Sequence, residues 1–230
     1  MAGEDIIGAV YQAVLDGEED AAGKATTAAM EAGLDPMRVL NEGGAKAIRL
    51  VGERFANFEI YLPELMLSAD AMKAMMNVLL PVLKRQGTPQ SRKGRILIGT
   101  VAGDVHDIGK NLVSALLAAN GFEVVDVGVN VPSNRFLDEA DKVQADILAL
   151  SALMSTSAYY QEEIIKYLVD SRQREKYFVV VGGGPVTPEW ARQIGADGYG
   201  RTAQDAVKLC EELMRLKRSQ SKPEQTLVFA

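Results

Sequence analysis

The segment Gly103-Asp-Val-His106-Asp-Ile-Gly109-Lys-Asn-Leu112 holds the only histidine in the 230-residue chain. It lies between two carboxylates, Asp104 and Asp107, directly behind the apolar run 95–101. A neutral imidazole that gives one ring N–H to a carboxylate keeps its other nitrogen for a metal. One histidine and one cysteine are too few to build a zinc site or a hydrolytic triad from protein groups alone. The loop also lacks the GxGxxG turn that a nicotinamide or flavin dinucleotide needs and the GxxxxGK[ST] phosphate loop, which argues against nucleotide hydrolysis. What suits a solitary imidazole beside a carboxylate is axial ligation of a transition metal already held by a macrocycle. Two further segments end apolar runs in the same way: Ser151-Ala-Leu-Met-Ser-Thr-Ser157, a row of small hydroxyls, and Gly182-Gly-Gly-Pro185, bare backbone.

Those three segments need a scaffold that brings them to one edge. Short continuous apolar runs at 95, 122, 146 and 177 alternate with helical stretches of 10 to 15 residues, the pattern of strands buried on both faces of a parallel sheet. A fifth short strand is expected around 195–200, before a helix over 203–217. Five β–α units imply an open, doubly wound sheet, a Rossmann-like fold whose ligands bind outside the carboxyl ends of the strands. Before residue 87 the period is helical throughout: 5–16, 18–32, a Pro36-started helix, 43–58, and a long helix over 62–85 in which Pro81 should bend or end the helix. The expected organisation is an all-α bundle over 1–91, with a polar linker at 87–94, an α/β domain over 92–218, and a tail, 219–230, disordered or loosely packed.

Composition narrows the partners. With 47% hydrophobic and 24% charged residues the chain has the balance of a soluble globular protein, and a net charge of −6 disfavours nucleic acid. No apolar run reaches the roughly 20 residues that span a bilayer, and the start lacks a basic signal-peptide region, so a cytoplasmic protein without a membrane partner is expected. Cys210, in a helical pattern, reads as a small buried hydrophobe.

Asp104-Val-His106-Asp-Ile-Gly109, Ser151-Ala-Leu153 and Gly182-Gly183, in that order, resemble the DxHxxG, SxL and GG signature of cobalamin-binding domains that hold the corrinoid base-off with histidine on cobalt. Tyr61-Leu-Pro-Glu-Leu65 and the Ala- and Met-rich helix behind it look like the cap of methyl-carrying corrinoid proteins. These include the cobalamin module of methionine synthase and the small corrinoid proteins of methylamine, methanol, methoxyaromatic and betaine methyltransferase systems. The resemblance spans about residues 4–216. It implies a carrier, non-catalytic by itself, that binds cobalamin or a related corrinoid, methylcobalamin in its loaded form. Cobalt would alternate between Co(I) and methylated Co(III), taking methyl from a substrate on one substrate-specific methyltransferase and passing it to a second that methylates tetrahydrofolate or a thiol such as coenzyme M. A reductive activation protein would be a further partner.

The resemblance also implies a site. His106 would be the axial ligand, Asp104 its hydrogen-bond partner and Ser157 the next hydroxyl in the chain. Gly103, Val105, Asp107, Ile108, Gly109, Ser151, Leu153, Ser155, Thr156, Gly182, Gly183 and Tyr199 would surround the cofactor, and the bundle, through 61–76, would cover the methyl-bearing face. Ordinary readings stand beside these: Ser151 and Ser155–Ser157 as helix caps, the glycines as turn formers, and Met66, Met72, Met75 and Met76 as core. Two rival functions share the three motifs, a cobalamin-dependent mutase subunit and a cobalamin-based sensor or regulator. The helical cap argues against the first, and the absence of an effector module in an acidic chain argues against the second.

Overall fold

Asp35 shows how sequence sets structure in the first half of the chain. Its carboxylate accepts from the Met37 and Arg38 amides, and Pro36, which needs no N–H partner, fills the first turn of the helix that follows. In the computed structural model, which describes residues 2–85, 93–221 and 223–229, the chain forms two compact units, Met1–Arg85 and Gln86–Ala230.

The first unit contains α1 (Ala2–Asp16), α2 (Glu19–Glu31), α3 (Pro36–Arg38), which continues through a π-helical stretch (Val39–Ala45) into α4 (Lys46–Ala56), and α5 (Leu62–Arg85). Pro81 neither ends α5 nor separates its last turn from the rest, since the helix runs on to Arg85. The core is built from Val10, Val14, Val39, Leu40, Met75, Leu79 and Leu83, with Met72 and Met76 also buried. Gly44 in the π-helical stretch lies against the sulfurs of Met72 and Met75, so these methionines are core, whereas Met66 is exposed. Over Leu62–Leu83, 22 residues of mean hydropathy 1.3, α5 has the length and apolarity to cross a membrane, yet it carries Glu64, Asp70 and Lys73 and packs against α1 and α2.

The second unit begins where the hydrophobic period changes. Strands β1 (Arg95–Thr100), β2 (Glu123–Asp126), β3 (Ile147–Ser151), β4 (Phe178–Gly182) and β5 (Gly198–Gly200) alternate with α6 (Ile108–Ala119), α7 (Ser133–Val143), α8 (Ser155–Asp170), α9 (Pro188–Gln193) and α10 (Ala203–Arg218). The runs at 95, 146 and 177 are buried along nearly their whole length, as strands covered by helices on both faces must be. The tail differs from expectation. Leu227–Phe229 form β6, a sixth parallel strand beside β5, so the sheet has six strands in the order β2-β1-β3-β4-β5-β6. Leu227 N–H donates to the Asp197 carbonyl, Arg201 N–H to that of Phe229, and Val228 packs on the core. The expected linker at 87–94 falls mostly outside the described residues.

Strand order decides where a ligand can sit. From β1 the chain first moves outward to β2, then returns past β1 to β3. The connections leaving the adjacent β1 and β3 therefore diverge to opposite faces of the sheet, and a crevice opens between their carboxyl ends. The histidine loop follows β1 and the hydroxyl segment follows β3.

Candidate functional site

Asp104 is the hub of that crevice. Its side chain is fully buried, and its two oxygens face opposite loops. Oδ2 accepts from the Leu153 amide at 2.7 Å, the Met154 amide at 3.2 Å and the Ser157 hydroxyl at 2.6 Å, all beyond β3. Oδ1 accepts from the His106 amide at 3.1 Å, closing an Asx turn, and lies 2.6 Å from His106 Nδ1. Burial pushes the Asp104 carboxyl up, but the hydrogen bonds from Ser157, Leu153 and His106 outweigh it and hold the group well below the usual carboxylate range. An ionised carboxylate only accepts, so Nδ1 donates to it, and in the neutral ring the lone pair then lies on Nε2. With 48% of its side chain exposed, the imidazole is accessible, oriented and in the tautomer a metal requires.

The main chain of the loop is fixed as well. The buried Thr100 hydroxyl, at the end of β1, donates to the His106 carbonyl at 2.8 Å. From the loop after β2, Asn130 accepts from the Gly103 amide through Oδ1 and donates its own amide to the Asp104 carbonyl, both at 2.8 Å. Gly103, at φ +75°, occupies a left-handed conformation that glycine adopts without strain. Thr100, Asn130 and the Met154 amide are site members that the three motifs do not include. The Asn within Gly128-Val-Asn-Val-Pro132 was the available signal, because asparagine tolerates left-handed backbone and Asn130 lies at φ +50°.

Comparison with known proteins identifies the assembly. A family profile described as a B12 binding domain matches residues 94–208, and a second of the same description matches 6–80. A corrinoid protein of Desulfitobacterium hafniense (strain Y51) is 40% identical over 204 residues, covering 88% of this chain and 94% of its own. The chain belongs to the B12-binding corrinoid proteins. This corrinoid protein matches the solved monomethylamine corrinoid protein of Methanosarcina barkeri with a TM-score of 0.86 and 32% identity, over 91% of its own length and 99% of the other's. It also matches a chain of the methanol:cobalamin methyltransferase complex of Methanosarcina barkeri, with a TM-score of 0.52 and 33% identity, over 92% of this chain and 80% of that one.

The residues fit the cofactor of a corrinoid protein. The one imidazole donor has its second nitrogen locked, Val105 and Leu153 on the adjoining loops expose apolar side chains, and Gly109 has open space where a Cβ would stand. His106, Asp104, Ser157 and Leu153 are brought together by hydrogen bonds. Ser151 pairs with Thr100 and Gly182 at the strand ends, and Asp107 and Ile108 are half-buried at the start of α6. Ser155 and Thr156 are exposed in the first turn of α8. They do not cap it, because the N-cap is Met154, and Ser157 reaches Asp104 instead. Tyr199 is buried in the sheet core among residues such as Val181 and Ile194. Cys210 is buried too, and burial pushes its thiol up to about 12.

For Gly183 the turn-forming reading has a direct geometric basis. It lies at φ +126°, and a Cβ there would overlap the Ala152 carbonyl oxygen, so its missing side chain lets β4 turn against the loop after β3. Gly183→Ala should therefore destabilise the cofactor-free protein itself, by about 2 kcal/mol or more. Denaturant midpoints of the variant and parent check this. An unchanged midpoint with lost cobalamin binding would instead make the missing side chain room for the cofactor. Gly182, whose Cβ would meet only the Gly200 carbonyl oxygen at 3.5 Å, is where a small side chain tests the groove without that strain.

Proposed function

We propose that this protein is a methyl carrier: it receives a methyl group from a substrate bound to one methyltransferase and hands it to a second, with tetrahydrofolate or a thiol such as coenzyme M as final acceptor. The observation that carries the reading is the His106–Asp104–Ser157 chain at the β1/β3 crevice, together with relatives whose names place them in monomethylamine and methanol systems. A corrinoid held there by His106 would supply a cobalt centre nucleophilic enough to carry a methyl group between the two enzymes.

The chain's own residues serve that cycle by holding and freeing a ligand. Ser157 and the two amides keep Asp104 ionised, and Asp104 keeps His106 Nδ1 protonated, so Nε2 is presented as a donor without a prior conformational search. To the first unit we assign protection of the bound methyl group. On that unit the large apolar side chains of Phe58, Tyr61, Leu62 and Met66 are each exposed. Reductive reactivation by a separate protein completes the proposed set of partners.

The test is methyl transfer from methanol or monomethylamine. Cobalamin-loaded, reduced protein mixed with a substrate-specific methyltransferase and its substrate should acquire one methyl group per cobalt. A protein that binds cobalamin with His106 coordinated, yet accepts no methyl from any such enzyme, would leave the cofactor reading and remove the carrier one. Protection has its own measurement: methylcobalamin bound to residues 93–229 should photolyse faster than on the full chain. Equal rates with both forms fully loaded would leave the bundle without a guarding role.

A further inference from the structure

We infer that Asn130 is a positioning residue for the cobalt ligand, acting through the backbone of the histidine loop; this rests on His106 being that ligand. The juxtaposition is specific. Asn130 belongs to the loop after β2 and touches the loop after β1 twice, through Oδ1 to the Gly103 amide and through its own amide to the Asp104 carbonyl, each at 2.8 Å. The isolated bridge between Val101 and Val131, with Val131 N–H donating to the Thr100 carbonyl, continues the β1–β2 ladder up to this point. Asn130 thus closes the ladder over Gly103 and Asp104, at the start of the loop that carries the ligand.

The direction of the His106 ring depends on that closure. Asp104 Oδ1 sets the ring through Nδ1, and Asp104 can do so only if its own backbone is fixed on both sides of the Cα. Asn130 secures the peptide after the Cα through the Asp104 C=O, and the peptide one further back through the Gly103 N–H; between them, the Asp104 N–H donates to the Val101 carbonyl. The far end of the loop is held independently by Thr100 on the His106 carbonyl. Asn130 adopts φ +50°, which glycine and, among residues with side chains, asparagine and aspartate adopt most readily. Glycine would supply the conformation and the amide but not the acceptor, and only aspartate would supply all three.

That difference makes the inference testable with three variants of the full chain: Asn130→Asp, Asn130→Gly and Asn130→Ala. In the cofactor-free protein, the Gly103 amide should exchange with solvent about tenfold faster in Asn130→Gly than in the parent, and Asn130→Asp should restore protection. In protein loaded with Co(II) cobalamin, the fraction showing one-histidine nitrogen hyperfine splitting should fall to about half in Asn130→Gly and further in Asn130→Ala. Asn130→Asp should return it to the parental value. Tyr177→Phe, which removes a hydrogen bond to Asp141 at the opposite end of the sheet, serves as a destabilised control and should keep full histidine coordination. Parental exchange and parental hyperfine in Asn130→Gly would overturn the inference, leaving only a conformational reason for the residue. Loss of histidine coordination in Tyr177→Phe would overturn it too, by tying ligation to general stability. A parent protein without nitrogen hyperfine would instead sink the ligand assignment for His106, with the Gly103 exchange rate still deciding whether Asn130 holds the loop.

Discussion

Replacing His106 with alanine should abolish nitrogen coordination to the cobalt of bound cobalamin and weaken retention of the cofactor by roughly tenfold to a hundredfold or more, the range in which even outer partners of metal ligands act. The fold should barely notice. The imidazole is half-exposed, its loop is held by Thr100 and Asn130 through main-chain atoms, and Asp104 keeps four of its five donors when the ring is gone. Water can take the place of the Nδ1 proton at Oδ1, so the loss of stability should stay below about 1 kcal/mol. Paramagnetic resonance of the Co(II) form and denaturant midpoints of the cofactor-free form check the two halves of this statement. Unchanged ligand hyperfine splitting would mean that cobalt takes its lower ligand elsewhere, and with it the site assignment would fall.

Parts of this architecture were legible because they rest on side-chain pattern. The runs Ile96–Ile98, Ile147–Leu150 and Phe178–Val181 are apolar without alternation, which specifies strands buried on both faces, and the histidine, hydroxyl and glycine segments follow three of those strands. What the chain conceals is the work of the backbone. The Leu153 and Met154 amides are two of the five donors to Asp104, and no residue type encodes an amide aimed at a carboxylate. Asn130 became a neighbour of Gly103 only through the strand order β2-β1-β3, which sequence periodicity does not give. Residue type alone leaves Gly183 open between cofactor contact and turn former, and only its φ and the nearby Ala152 carbonyl show the turn requirement. The sixth strand, Leu227–Phe229, is too short for period-two alternation to distinguish it from a tail.

Asp104→Asn should remove histidine from cobalt as completely as deleting the imidazole, although the imidazole is still there. The reason is a tautomer. An amide has one oxygen where the carboxylate had two, and the buried group faces donors on both sides. If the NH2 pointed at the Leu153 and Met154 amides, two main-chain N–H groups would lose their acceptor, at about 1 to 3 kcal/mol each. The oxygen therefore stays on that side, and the NH2 faces His106. A donor now meets Nδ1, which must become the acceptor, and the ring proton moves to Nε2, the atom that would bind the metal. The same substitution in the aspartate of a serine-protease triad acts through the wrong histidine tautomer.

The cost to the fold is the His106 amide left without its partner, about 1 to 2 kcal/mol at neutral pH. That gap should depend on acidity with a definite sign. Folding holds the Asp104 carboxyl below its ordinary value near 3.9, so its contribution is complete above about pH 5 and is lost as pH falls below that value. Denaturant midpoints at pH 7 and pH 3 should therefore converge between variant and parent. A gap of equal size at both would show that the charge of Asp104 contributes nothing to stability. Retained nitrogen hyperfine in cobalamin-loaded Asp104→Asn would show that Nε2 keeps its lone pair without the carboxylate, and that Asp104 ties the two loops together without selecting the tautomer.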